Sequence, residues 1–296
     1  MAQITLVSSE HHQYLKQVAF IEAFPAYTTE RLEDGVILWY RAGDSIASVA
    51  FRIASKTGEI TGFGDATIMR RILQCDLQNL QQEHKEERCG TFHWQLWRQY
   101  RGIRPVLFAN VFEGLSWAIL AQQITVTLAV QLKNAVAHAY GTVFDGITRS
   151  VAVFPSARQL SRVTVEQLQV LRLSRQKAVA LIGLAQAINE GRWTPDPLYR
   201  LPTHLASEEL QQFNGIGPWT AEYCLNRVFG HPDVIPAADI GLRRAWSRIT
   251  GQTALTSESS LRNHAQCWAG WRSDFAFWLW LSNLDDRKRE KRMPPH

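Results

Sequence analysis

The chain has 296 residues, of which 46% are hydrophobic and 20% charged, with a formal net charge of +5. That composition fits a globular protein with enough material for two domains and a sizeable core. No run of about eighteen uncharged apolar residues occurs, so no membrane span is expected. The opening MAQITLVSSEHHQYLKQ lacks a charged-then-apolar leader, and an intracellular, cytoplasmic location is expected. A mildly basic charge favours contact with a polyanion without demanding it.

In chain order, GVILWYRAG (35–43) and SIASVAFRIA (45–54) are β-favouring runs around Ala42-Gly43-Asp44, which predicts a hairpin. TGFG (61–64) marks another turn, and Ala66 to Leu73 reads as a helix or a strand. A small α+β domain over residues 1–90 is expected, with a scaffold role. The polar stretch 79–90 reads as a boundary. Trp94, Trp97 and Tyr100 then follow at helical spacing, a stripe more typical of core than of a ligand site. From Phe112 onward the period is helical, so residues 91–296 are expected to form a mainly α unit. Predicted helices cover 126–140, 165–171 and 175–189, with Gly141 and Gly191 as stops. The basic tail RKREKR (287–292) reads as solvated or DNA-contacting.

The chemistry concentrates in LQQFNGIGPWTAEYCLNRVFGHPDVIPAADIGLRRA (210–245). Asn214, Gly215 and Gly217 tolerate a tight turn, and Pro218 suits the first turn of a helix. The exposed N–H groups opening that helix would favour an anion, and the two glycines would let a phosphate approach the backbone. A corner between helices with no ligand is the plainer reading. Asp239 precedes the next helix, 240–250, where it is a good N-cap. A cap also fixes a carboxylate in place, and a fixed anion beside a phosphate site suits stabilisation of a cationic sugar.

GIGPWTAEY followed by PAADIGLRRA resembles the helix-hairpin-helix DNA glycosylases, and within them the AlkA-type 3-methyladenine DNA glycosylases. FEGLSWAILAQQITVTLAVQLKNAVAHAYG (112–141) and FPSARQLSRVTVEQLQVLRLSRQKAVALIGLAQAINEG (154–191) extend the resemblance over nearly all of 105–282. It implies a helical glycosylase core behind an N-terminal α+β domain, with the hairpin at 210–222. Asp239 is then the catalytic carboxylate, and Trp219, Tyr223 and Trp280 are walls of the base pocket. Trp280, inside FAFWLWL, equally reads as core. Gly215, Ile216, Gly217, Thr220 and Gln123 are implied DNA contacts. Gln123 falls at the wedge position that fills the vacated stack, although a polar residue there departs from the family's best-known pattern. Gln122 and Gln123 could instead cap a helix or bond within the core.

The resemblance also implies a monovalent cation on the main-chain oxygens of Gln211, Phe213 and Ile216. Trp219 stands where bifunctional relatives carry a lysine nucleophile, so no Schiff-base strand cleavage is expected. Cys75, Cys89, Cys224 and Cys267 contain no CxxC pair, and neither a zinc site nor an iron–sulfur cluster is expected. The implied partner is double-stranded DNA with damaged bases, met by a monomer. The implied reaction is hydrolytic release of alkylated purines of the 3-methyladenine and 7-methylguanine type. A non-catalytic DNA-binding protein, or a glycosylase for deaminated or oxidised bases, are the alternatives.

Overall fold

The computed structural model describes residues 3–6, 11–54, 59–75 and 90–290. The N-terminal part is an antiparallel sheet of five strands in the order β1-β5-β4-β3-β2. These are β1 (Gln3–Leu6), β2 (Thr28–Leu32), β3 (Gly35–Ala42), β4 (Ser45–Ile53) and β5 (Ile60–Gly64). β3 and β4 form the expected hairpin, pairing Ala42 with Ser45 and Gly35 with Arg52. Helix α1 (His11–Ala23) and helix α2 (Ala66–Leu73) pack on the sheet. Residues 66–73 are therefore helical, capped by the Asp65 carboxylate on the N–H groups of Thr67 and Ile68. The expected boundary stretch falls largely within residues 76–89, outside the described residues, as does Cys89. The side chains of the basic tail lie outside them too.

The helical part begins with α3 (Thr91–Tyr100), α4 (Val111–Ala121) and α5 (Val126–Tyr140). On α3 the buried face is His93, Leu96 and Tyr100, whereas Trp94 and Trp97 stack on each other and stay half-buried. The helical reading missed a two-stranded ribbon, β6 (Thr142–Asp145) with β7 (Ser150–Val153). It docks beside β2, where the buried Glu30 carboxylate accepts from the Trp39 indole and the Thr148 N–H.

Next come α6 (Ala157–Leu160), α7 (Val165–Val170), α8 (Arg175–Asn189) and α9 (Thr203–Gln211). Ser156 and Thr164 each close a reciprocal capping box with a glutamine three residues on. Helix α10 (Pro218–Cys224) runs directly into a π turn, Leu225–Phe229. The chain ends in α11 (Ile240–Ile249), α12 (Glu258–His264) and α13 (Arg272–Glu290). No helix of the described residues is long and apolar enough to cross a membrane.

One hydrophobic core runs through both parts, from Val18 and Phe51 to Trp246 and Leu281. Buried polar contacts pin the sheet to the helices. Lys133 on α5 pairs with Glu113 on α4 at 2.7 Å and reaches Thr28 on β2 at 3.3 Å. Arg41 donates to the Phe154 carbonyl and the Thr142 hydroxyl. Tyr27 donates to the Val106 carbonyl at 3.0 Å.

Candidate active site

The hairpin joins α9 to α10 through Gln212-Phe213-Asn214-Gly215-Ile216-Gly217. The two glycines do different work. Gly215 has φ +84, where a side chain is strained, and a Cβ there would lie 2.7 Å from the Cβ of Ala180 on α8. Gly217 has φ −93 and open space where a Cβ would go. No side chain caps α10, so its first N–H groups beside Gly217 have no side-chain partner. Gln122 braces the turn from behind, donating to the Gly215 carbonyl and the Thr220 hydroxyl, both at 2.7 Å. Its own carbonyl accepts from the Lys177 ammonium at 2.8 Å.

Of the expected DNA contacts, Gly215 and Gly217 lie on this turn, while the side chains of Ile216 and Thr220 are buried. Those two can offer only backbone. Gln123 is exposed and sits at φ +56, a left-handed conformation uncommon for a residue with a side chain. Gln122 thus takes the internal bonds, and Gln123 is held outward. The Gln211 and Ile216 carbonyls take no backbone N–H from the loops or caps among the described residues, and the Phe213 carbonyl takes one, from Ile216. Two of the three carbonyls expected to hold the cation thus keep their lone pairs free of such donors.

Asp239 caps α11 by accepting the Leu242 N–H at 2.9 Å. Burial pushes its carboxyl above the usual range, against the Leu242 N–H bond and the opposing pull of the nearby Trp280 and Trp219 indoles and the Gly241 N–H. The loop that carries it is fixed at both ends. Arg262 donates to Glu222 on α10 at 2.8 and 3.0 Å and to the Ile235 carbonyl at 3.3 Å, tying loop to hairpin helix. Asn283 on α13 holds the Gly241 carbonyl at 3.0 Å.

The expected aromatic walls come together around this carboxylate. Trp219 lies 5.6 Å from Tyr223, and Tyr223 lies 5.7 Å from Trp280, edge to face. Trp219 and Trp280 are half-buried and Tyr223 is 6% exposed, so the cluster deepens away from Asp239. Trp280 is thus both a packed residue and a neighbour of the carboxylate.

Three members of the cluster were not anticipated from the sequence. Trp117 on α4 donates its indole N–H to the Tyr223 hydroxyl at 3.0 Å. Phe24, just beyond α1, packs edge-on to Trp117 at 5.8 Å. Arg227, in the π turn, is 1% exposed, with its guanidinium 5.2 Å from the Phe24 ring and 5.6 Å from Trp280. It donates to the Val106 carbonyl and the Tyr27 hydroxyl. Inserted π turns often mark functional positions, but the sequence carries no signal for this one. Arg243 donates to the Thr256 carbonyl at 2.6 Å, and Arg244 is exposed.

The chain is 28% identical over 183 residues to a DNA-3-methyladenine glycosylase of Bacillus subtilis, covering 62% of this chain and 60% of that one. It is 31% identical over 181 residues to DNA-3-methyladenine glycosylase 2 of Escherichia coli, covering 61% of each. The matched region thus spans about three fifths of these relatives' length. A solved 3-methyladenine DNA-glycosylase from Archaeoglobus fulgidus superposes with a TM-score of 0.75 at 24% identity, over 96% of this chain and 99% of that one, which shows the fold. The family model described as HhH-GPD superfamily base excision DNA repair protein matches residues 116–270, just over half of the chain. This chain belongs to the HhH-GPD superfamily of base excision DNA repair proteins.

Proposed function

We propose that the chain is a monofunctional DNA glycosylase that releases alkylated purines by hydrolysing the N-glycosidic bond. The observation that carries this reading is the Asp239 carboxylate, capped on α11 beside the indoles of Trp219 and Trp280 at the mouth of an aromatic cluster. The names of its relatives support the substrate class.

A base inside a duplex is out of reach, so the nucleotide must be flipped, at a cost of ~ a few kcal/mol. The hairpin N–H groups at Gly217 would take a phosphate, and exposed Gln123 would fill the gap in the stack. An alkali cation on the Gln211, Phe213 and Ile216 carbonyls would supply positive charge toward that phosphate. The flipped base would enter between Trp219, Tyr223 and Trp280. Electron-rich faces favour the positive charge of a 3- or 7-alkylpurine, by ~0.5–2 kcal/mol per contact.

As the C1′–N bond breaks, its electron pair leaves with the base and positive charge grows on the sugar. The fixed Asp239 carboxylate faces that charge, and water then adds at C1′ and gives up a proton. Trp219 offers no amine to attack C1′, so the abasic site stays uncut. Action on double-stranded DNA inside the cell, by a monomer, goes with this reading.

The test is release of methylated bases from alkylated duplex by the wild type and Asp239→Asn, with thermal melts of both. Asparagine caps about as well as aspartate, so the fold should hold. Loss of the carboxylate should cost ~10²–10³-fold in rate. Equal release by both proteins would remove Asp239 from the chemistry.

A further inference from the structure

The deep end of the aromatic cluster carries a hydrogen-bonding direction. The Trp117 indole can only donate, and it occupies the Tyr223 oxygen at 3.0 Å. The Tyr223 hydroxyl proton meets no acceptor among the described residues, although the residue is 6% exposed. Burial also pushes this phenol well above its ordinary value, so it stays protonated. Tyr223 is thereby left as a donor in search of an oxygen or nitrogen lone pair. Beside it stands Arg227, with no carboxylate among the described residues within 4.0 Å and its charge spread over the rings of Phe24 and Trp280. A buried positive charge there favours an acceptor atom and disfavours another N–H.

Resting on the base-pocket reading above, we propose that the Tyr223 hydroxyl, held as a donor by Trp117, reads a carbonyl oxygen on the flipped base. Alkylated guanines present O6 at the position where alkylated adenines present an amino group. The chain therefore favours guanine-type over adenine-type lesions beyond what their lability alone gives. Trp117 is a positioning residue, since it acts only through Tyr223.

The experiment measures 7-methylguanine and 3-methyladenine released from dimethyl-sulfate-treated duplex by the wild type, Tyr223→Phe and Trp117→Phe, each with a thermal melt. The two lesions differ in lability, so the readout is the change in their ratio from wild type to variant. Tyr223→Phe keeps the ring and should lower the 7-methylguanine to 3-methyladenine ratio about fivefold, the factor one neutral hydrogen bond commonly carries. Trp117→Phe frees the Tyr223 oxygen to accept an amino N–H and should lower the ratio in the same direction. A ratio unchanged by Tyr223→Phe, or equal loss of both bases, overturns the proposal. Should Trp117→Phe fail to fold, Tyr223→Phe decides alone. A parallel titration follows quenching of tryptophan fluorescence by the free bases 7-methylguanine and 3-methyladenine. If the wild type releases neither base from DNA, the glycosylase reading falls, and this titration still decides. Preference for 7-methylguanine lost in Tyr223→Phe supports the donor role, and equal binding of both bases by the wild type overturns it.

Discussion

Replacing each hairpin glycine by alanine should separate folding from DNA contact. At Gly215 the left-handed φ of +84 costs an alanine ~1–2 kcal/mol. Its Cβ would also press on the Ala180 Cβ at 2.7 Å, and overpacking of that kind costs ~1–3 kcal/mol. Gly215→Ala should thus destabilise by ~2–5 kcal/mol, a fall in Tm of ~4–10 °C. Adding Ala180→Gly clears the contact but leaves the strain and puts a glycine inside α8 at ~1 kcal/mol, so rescue is partial. Gly217→Ala has ordinary φ and open space, and its stability should stay within ~0.5 kcal/mol of wild type. Under the proposed function its methyl group would project where the phosphate approaches, and losing one charge-assisted bond costs ~1.5–3 kcal/mol, or ~10–100-fold in Kd. Thermal melts and fluorescence anisotropy with a labelled duplex at fixed salt measure both effects. Wild-type affinity in Gly217→Ala, or a wild-type melt in Gly215→Ala, would refute the reasoning.

Gly241→Ala should shift the melt little, since strain on the Asp239 cap (~1 kcal/mol) is offset by removing a helical glycine (~1 kcal/mol), and should slow base release more than ~10-fold, because its Cβ would lie 2.9 Å from a carboxylate oxygen of Asp239. Wild-type rates in that variant would show that the carboxylate tolerates displacement. Burial pushes the Asp274 carboxyl up to about 7, against the pull of Arg104 at 3.4 Å. Its contribution to stability is complete below the unfolded value of ~3.9 and is lost as pH rises through about 7. Between pH 5.5 and 8.5 the wild type should therefore lose more Tm than Asp274→Asn, and parallel profiles would contradict this.

The candidate site, as a hairpin turn followed by a capped helix, was legible because its parts are close in sequence and locally encoded. Two glycines and Pro218 specify a turn into a helix, and Asp239 precedes an apolar period that needs a cap. The ribbon β6–β7 was not, since strands of four residues are too short for an alternating pattern to stand out against helical neighbours. Phe24 and Trp117 escaped for a different reason. Each looks like a core aromatic in its own segment, and only tertiary packing across 93 residues puts one against the other. Arg227 reads as one more helical arginine until the π turn directs it inward among Phe20, Phe24, Phe277 and Trp280.

The aromatic cluster joins Phe24, near one end of the chain, to Trp280, near the other, through Trp117 and Tyr223. On the ribosome, a nascent chain that has its hairpin and Asp239 still lacks the ring supplied by α13. The ring cluster is therefore complete only once α13 has docked, and a chain that stops short of it leaves Tyr223 without its edge-to-face partner.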